Sequence, residues 1–254
     1  MDARKRAALV TGADRGLGLS ISRGLLNMGW TVYAGKYIDE YQLLEGLKEK
    51  HDELHIVPLD MSSKGDIQAV AQRVAETTGY LDMIVSNAAL MGMTGKDVPA
   101  SKTPTPQQQS IDQKADLDHV WRSFKVNALG PLELTSALLP LLEKGSMKRL
   151  CYVSSEVSSI SMMNRDRAFS YPMSKSALNM AVRMIHNDLF PKGYTVRLYH
   201  PGWMKRVMLD GDRVEGAMID PDDSARAALK FMIEPLMDEH RLVMVDLWGN
   251  EWPC

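Results

Sequence analysis

Short apolar runs recur along the chain, and each is followed by a stretch whose apolar residues return every three or four positions. AALVTG (7–12), TVYAGK (31–36), LHIVPLD (54–60), LDMIVSNAA (81–89), RLCYVSS (149–155), TVRLYHPG (195–202) and RLVMVD (241–246) read as strands. The stretch ending near Met28 and the segments 39–51, 65–78, 115–143, 170–190 and 221–236 read as helices. The strand runs are continuously apolar rather than alternating, as strands covered on both faces should be. Strands and helices alternating at this spacing build βαβ units. The expected fold class is α/β, doubly wound, with a single parallel seven-stranded sheet and helices on both faces. No repeat or linker interrupts the pattern, so residues 1–254 are expected to form one domain.

Two segments break the rhythm. Residues 91–116 are rich in Pro, Gln, Ser and Thr and read as an insertion or a loop at the mouth of a site. Residues 203–220 lack a clear period and read as a mobile loop over a substrate.

Composition narrows the class. The chain has 254 residues, 45% hydrophobic and 24% charged, with a formal net charge of -2. That balance points to neither nucleic acid nor an acidic membrane surface as a partner. No apolar run approaches the roughly 20 residues of a membrane span. The basic start, MDARKRAALVTG, enters a strand-like run without the apolar region of a secretion signal. Of two cysteines, Cys151 lies in a strand and Cys254 is the last residue, so no disulfide framework and a reducing, cytoplasmic setting are expected.

TGADRGLG (11–18) directly follows the first strand and opens the first helix. In a doubly wound Rossmann fold this turn holds a dinucleotide pyrophosphate. Gly12 permits the tight turn, Gly16 lets the backbone approach the phosphates, and Gly18 allows close helix–strand packing. The helix N-terminus then faces the anion. FSYPMSKSALNM (169–180) places Tyr171 and Lys175 one turn apart on one helical face. From these residues alone the pair is either a tyrosine stacked on a lysine stem at a helix surface or an acid–base pair, in which the ammonium would lower the phenol's pKa from its ordinary value of about 10 and let it work near neutrality.

These motifs resemble the short-chain dehydrogenase/reductase family, in its non-extended branch, over the whole chain. The resemblance rests on TGADRGLG (11–18), Asp60 after the third strand, SNAA (86–89), Asn127 in KVNALG, VSS (153–155), YPMSK (171–175) and HPG (200–202), in the family's order. The C-terminal VDLWGNEWP is also similar to the tail of the C-factor and sniffer type of carbonyl reductase. The resemblance implies hydride transfer between a nicotinamide and a carbonyl or alcohol carbon. It makes Tyr171 the proton donor in reduction and Lys175 the cation beside it, which also binds the nicotinamide ribose. Asn127 would help hold a water against the lysine, or mark a helix kink. A serine should hold the substrate oxygen. Strand register selects Ser155, but Ser158 has the family's common spacing to the tyrosine, and both stay open.

The same resemblance assigns cofactor contacts to Gly12, Asp14, Arg15, Gly16, Leu17, Gly18, Lys36, Asp60, Met61, Asn87, Ala88, Tyr171, Lys175, Pro201, Gly202 and Met204. Asp60 would meet the adenine amine, or cap a helix. No residue is assigned to a metal. NADP(H) is expected over NAD(H). The second strand ends in Lys36 with no carboxylate before Asp39, and with Arg15 this makes two cations suited to a 2′-phosphate. One departure stands out: after Pro201-Gly202 the family's threonine is replaced by Arg206. Either the backbone does that work, or Lys205 or Arg206 reaches an anionic group on the substrate. Ser155, Trp203 and Arg206 are the candidate substrate contacts, and Met162, Met163 and Met208, with Trp203, either add apolar surface around the pocket or are plain packing, so the methionines are assigned no role. The expected activity is NADPH-dependent reduction of a ketone or aldehyde on a small molecule. The alternatives are an alcohol dehydrogenase or biosynthetic tailoring enzyme, and a cofactor-binding regulator without turnover. A homodimer or homotetramer through the helices at 115–143 and 170–190 is expected from relatives.

Overall fold

The computed structural model describes residues 4–91, 111, 116–205 and 216–254. Its sheet runs in the order β3-β2-β1-β4-β5-β6-β7-β8. Seven parallel strands are those expected: β1 (Ala7–Val10), β2 (Thr31–Lys36), β3 (Leu54–Pro58), β4 (Met83–Ser86), β5 (Arg149–Val153), β6 (Thr195–His200) and β7 (Met244–Asp246). A two-residue β8 (Glu251–Trp252) adds antiparallel to β7. It forms because the Asp246 carboxylate gathers the N–H groups of Trp248 and Asn250, the Asn250 amide and the Trp252 indole at 2.9–3.1 Å. The polar residues of the VDLWGNEWP tail therefore build a turn. β1 pairs with both β2 and β4, so the strand order reverses there and a crevice opens beyond the strand ends.

Both faces of the sheet are buried. Leu9, Tyr33, Leu150 and Tyr152 pack under α3 (Lys64–Thr77), α5 (Gly130–Leu142) and α6 (Ser170–Leu189). Their neighbours Ala8, Val10, Val32 and Cys151 pack under α1 (Gly16–Asn27), α2 (Leu43–Lys48) and α7 (Pro221–Ile233). Side chains alternate in direction but not in environment, which is why the strands read as unbroken apolar runs.

The helix expected over 39–51 is confined to α2. The one expected over 115–143 is α4 (Leu117–Phe124) and α5, joined by a π-turn over Lys125–Leu129. Ser63, Asp116 and Asp220 cap α3, α4 and α7 through their side chains. Asp60 is not a cap; its carboxylate takes the N–H and hydroxyl of Ser62, both at 2.8 Å. Cys151 is buried and Cys254 exposed, and both are free thiols. Among the described residues no helix is long and apolar enough to cross a membrane. The segments expected as an insertion at 91–116 and a loop at 203–220 fall mostly outside the described residues.

Candidate active site

The glycine loop is locked from the protein side and open on the other. Thr11 hydroxyl accepts the N–H of Asn87 (3.0 Å) and Ala88 (2.9 Å). Asn87 Nδ2 donates to the carbonyls of Thr11 (2.9 Å) and Gly12 (3.0 Å), so its amide holds the loop. Gly12 has φ +60, and a Cβ there would lie 2.8 Å from Ala88 Cα. A Cβ on Gly18 would lie 2.2 Å from the Gly12 carbonyl oxygen. Gly16, at φ +55 and opening α1, would direct a Cβ where no protein atom lies within 4 Å. No side-chain hydrogen bond caps this helix at Arg15. An uncapped helix start with open backbone above it fits a pyrophosphate. Buried Asp14 accepts the N–H of Ile38 (3.0 Å), tying the loop to the chain beyond β2, and Leu17 sits in the core.

Lys36, the last residue of β2, donates to Glu45 at 2.7 Å. Arg15 bonds the Tyr41 hydroxyl and stacks 5.0 Å from its ring centre. Both expected cations stand beside the loop, each with a partner. Lys36, Asp39, Asp60 and Asp66 line a cleft of about 430 Å³ at the ends of β2 and β3. Met61 is buried in the core.

Tyr171 and Lys175 occupy the first turns of α6, with the ammonium 5.8 Å from the tyrosine ring centre. Lys175 is buried and donates to the Val153 carbonyl at 2.8 Å, which fastens the end of β5 to α6. Burial pushes its pKa down to about 7. The turn after β5 is stapled to the same helix. Ser154 Oγ donates to Asn179 Oδ1 (2.6 Å), and Asn179 Nδ2 donates to Ser158 Oγ (2.7 Å). Ser158 Oγ also donates to the Ser155 carbonyl (2.6 Å). Ser158 is thus buried and fully used. Ser155, between the two anchored serines, is half-buried, and its hydroxyl makes no hydrogen bond among the described residues. Asn127 sits in the π-turn. Its Oδ1 accepts Leu90 N–H (2.7 Å), and its Nδ2 donates to Leu90 carbonyl (2.8 Å) and Ser174 Oγ (2.9 Å). Ser174 passes the tie to the Tyr171 carbonyl at 2.8 Å.

A family model described as short chain dehydrogenase matches residues 6–215. The chain belongs to the short-chain dehydrogenase/reductase family. Its curated relatives include the C-signal protein of Myxococcus xanthus, 35% identical over 178 residues, which are 69% of this chain and 94% of that one. They also include 1-hydroxy-2-glutathionyl-2-methyl-3-butene dehydrogenase of Rhodococcus, 29% identical over 225 residues, or 87% of this chain and 88% of that one. Among solved structures, the NADPH-bound carbonyl reductase from chicken fatty liver superposes with a TM-score of 0.81 at 27% identity, covering 99% of this chain and 100% of that one.

In this short-chain dehydrogenase/reductase the π-turn before α5 ties Asn127 to Leu90 beyond β4 and to Ser174 on α6, and Lys175 ties α6 to the end of β5, two residues before Ser155. The loop after β6 turns at Gly202, φ +76, whose N–H approaches His200 Nδ1 (3.4 Å), and the Pro201 carbonyl accepts Ser224 Oγ (3.0 Å). Met204 bridges to Ile219, and Trp203 is 60% exposed. Arg206 and Met208 lie outside the described residues. Sequence reading missed Thr11, Ser174 and Asn179, which position the groups around them. Asn179 carried a signal: it falls one turn beyond Lys175 on the face that already held Tyr171.

Proposed function

We propose that this chain uses NADPH to reduce a ketone or aldehyde on a small molecule, with Tyr171 as proton donor. The observation that supports the reading is the Lys175–Val153 hydrogen bond, which ties the helix that carries Tyr171 to the strand end two residues before Ser155. The cofactor would supply hydride when bound. The uncapped start of α1 and the backbone at Gly12 and Gly16 would hold its phosphates, with Gly18 keeping the helix close. Arg15 and Lys36 would meet the adenosine ribose, Asp60 and Met61 the adenine side, and Pro201, Gly202 and Met204 the nicotinamide side. The NADPH bound to the chicken reductase supports this choice of nucleotide.

Each residue then has a separate task. Tyr171 protonates the forming alkoxide. Lys175 lowers the cost of the phenolate left behind. Ser155 donates to the substrate oxygen, because its hydroxyl is unspent while Ser158 is committed to Asn179 and Ser155. Asn127 acts as a clamp between Leu90 and α6, fixing where Tyr171 stands. Trp203 offers exposed apolar surface to the substrate, while at 205–206 both readings stand: the backbone replaces the family's threonine, or Lys205 or Arg206 meets an anionic group. The Rhodococcus relative keeps alcohol oxidation as the second reading, since the same residues serve both directions. Exposed Trp121, Leu129 and Leu132 on α4 to α5, with Met180 and Met184 on α6, support self-association of this enzyme through those helices.

Thermal melting with saturating NADPH is the direct test. A ligand specific to the folded state adds about 2.7 kcal/mol at a hundredfold excess over its Kd, roughly 5–10 °C in Tm for a chain of this size. NADPH is expected to give that rise and to support turnover on a panel of ketones and aldehydes. Absence of both would defeat the reading. Gly18→Ala is expected to abolish the NADPH-induced rise. The new Cβ meets the Gly12 carbonyl and the Asn87 amide, at 2.2 and 2.6 Å, so the loop must move. An undiminished rise would place the phosphates elsewhere.

A further inference from the structure

The cation at the end of β2 is not waiting for a phosphate. Lys36 is only 11% exposed and its ammonium is paired with Glu45, from the first turn of α2. Glu45 Oε1 takes that bond, while Oε2 is buried without a hydrogen-bond partner. Despite the opposing effect of burial, the bond and charge of Lys36 hold the Glu45 carboxyl below its usual pKa, so it is ionised near neutrality. The cleft that Lys36 lines is also lined by Asp39, Asp60 and Asp66. A second cation beside the loop, Arg15, is engaged with Tyr41. A phosphate monoester arriving beside Lys36 therefore meets an ammonium already neutralised, in a cleft lined with carboxylates.

We propose that Glu45 sets how strongly this enzyme prefers NADPH over NADH, by competing with the 2′-phosphate for Lys36. The inference rests on NADP(H) being the cofactor. A nucleotide bearing the phosphate must break or share the Lys36–Glu45 pair and approach a second negative charge. A nucleotide bearing only ribose hydroxyls leaves the pair intact. Glu45 thus lowers the affinity for one cofactor and not the other, acting through Lys36.

The test is fluorescence titration of the full chain with NADPH and with NADH, for the wild type and Glu45→Gln. Glu45→Gln is expected to bind NADPH about fivefold more tightly, the upper range for a partly exposed ion pair, with NADH affinity unchanged. Lys36→Met should weaken NADPH binding more in the Glu45→Gln background than in the wild type, because only there does no Glu45 carboxylate compete for the ammonium, whose other bond goes to the Asp39 carbonyl (3.4 Å). A purely structural role for Glu45 would move both nucleotides together. Equal shifts for the two, or weaker NADPH binding by Glu45→Gln, would overturn the proposal. A wild type that binds neither nucleotide would bring it down together with the cofactor reading it rests on.

Discussion

Tyr171→Phe is expected to lower kcat/KM for carbonyl reduction by about a hundredfold to ten-thousandfold, the range of a lost general acid, while the NADPH-induced rise in Tm survives. The change removes one hydroxyl and leaves the ring, so the packing of α6 and the Lys175–Val153 tie persist. The dissociation of the two readouts is the point. A protein that bound the nucleotide only to signal would keep its output in Tyr171→Phe, whereas a reductase loses turnover. The pH profile follows from Lys175. Its folded-state value near 7 lies below the ordinary 10.5, so its charge is present below about pH 7 and lost above it. Reductive kcat/KM of the free enzyme is expected to fall as pH rises through 7. The stability linkage has the opposite sense. The unfolded chain binds more protons between about 7 and 10.5, so this group's contribution to stability improves as pH rises across that window. A Tyr171→Phe variant that retains wild-type turnover would remove Tyr171 from the mechanism, and a profile flat from pH 6 to 9 would mean that Lys175 does not titrate there.

The features legible in the sequence are those that depend on neighbours in the chain. The seven parallel strands were readable because strands buried on both faces need unbroken apolar runs. Tyr171 and Lys175 were readable because one helical turn separates them. The glycine loop was readable because strand, turn and helix occur in order. What stayed hidden depends on returns of the chain from a distance. A kink at Asn127 is one of the two readings of KVNALG, but its form, a π-turn at 125–129, and the grip of Leu90 and Ser174 on Asn127 come from distant segments. Spacing and strand register point to different serines, Ser158 and Ser155, and the bonds from Asn179 to Ser154 and Ser158 join positions too far apart in the chain to be read from it. Lys36 was visible as a cation, but its partner Glu45 arrives only when α2 folds back over the end of β2. β8 was invisible because two residues carry no period, and its cause is the many-handed Asp246. Arg197 was a signal left unread: an arginine in the middle of TVRLYH, a strand otherwise buried, requires a buried partner.

That partner is Glu239, and Glu239→Ala is expected to destabilise the protein more than any surface substitution. Arg197 is 1% exposed and pairs with Glu239 through both terminal nitrogens, one of the two contacts being at 2.6 Å. Buried Arg149, on the neighbouring strand β5, reaches the same carboxylate at 3.6 Å. The two guanidinium groups also hold the C-terminal end of α7: Arg149 donates to the Met232 carbonyl (2.7 Å), and Arg197 to those of Phe231 (3.1 Å) and Glu234 (3.3 Å). MDEHR, around Glu239, looks like a solvated charge cluster, yet this carboxylate is the counter-charge for two buried cations. Removing it leaves both without one and costs about 3 kcal/mol, roughly 6–12 °C in Tm. Glu239→Gln keeps part of the hydrogen bonding and should lose less. Acid supplies the same change. Burial opposes ionisation of Glu239, but bonds from Arg197 and Leu236 N–H and the charges of both arginines hold its pKa below the usual value. Its contribution is therefore present above the ordinary glutamate range and disappears as pH falls through the lowered folded-state value. The melting curves of wild type and Glu239→Gln should converge as pH falls through that value. A Glu239→Ala protein melting within about 2 °C of the wild type, less than 1 kcal/mol for a chain of this size, would show that the arginines are satisfied by the α7 carbonyls alone.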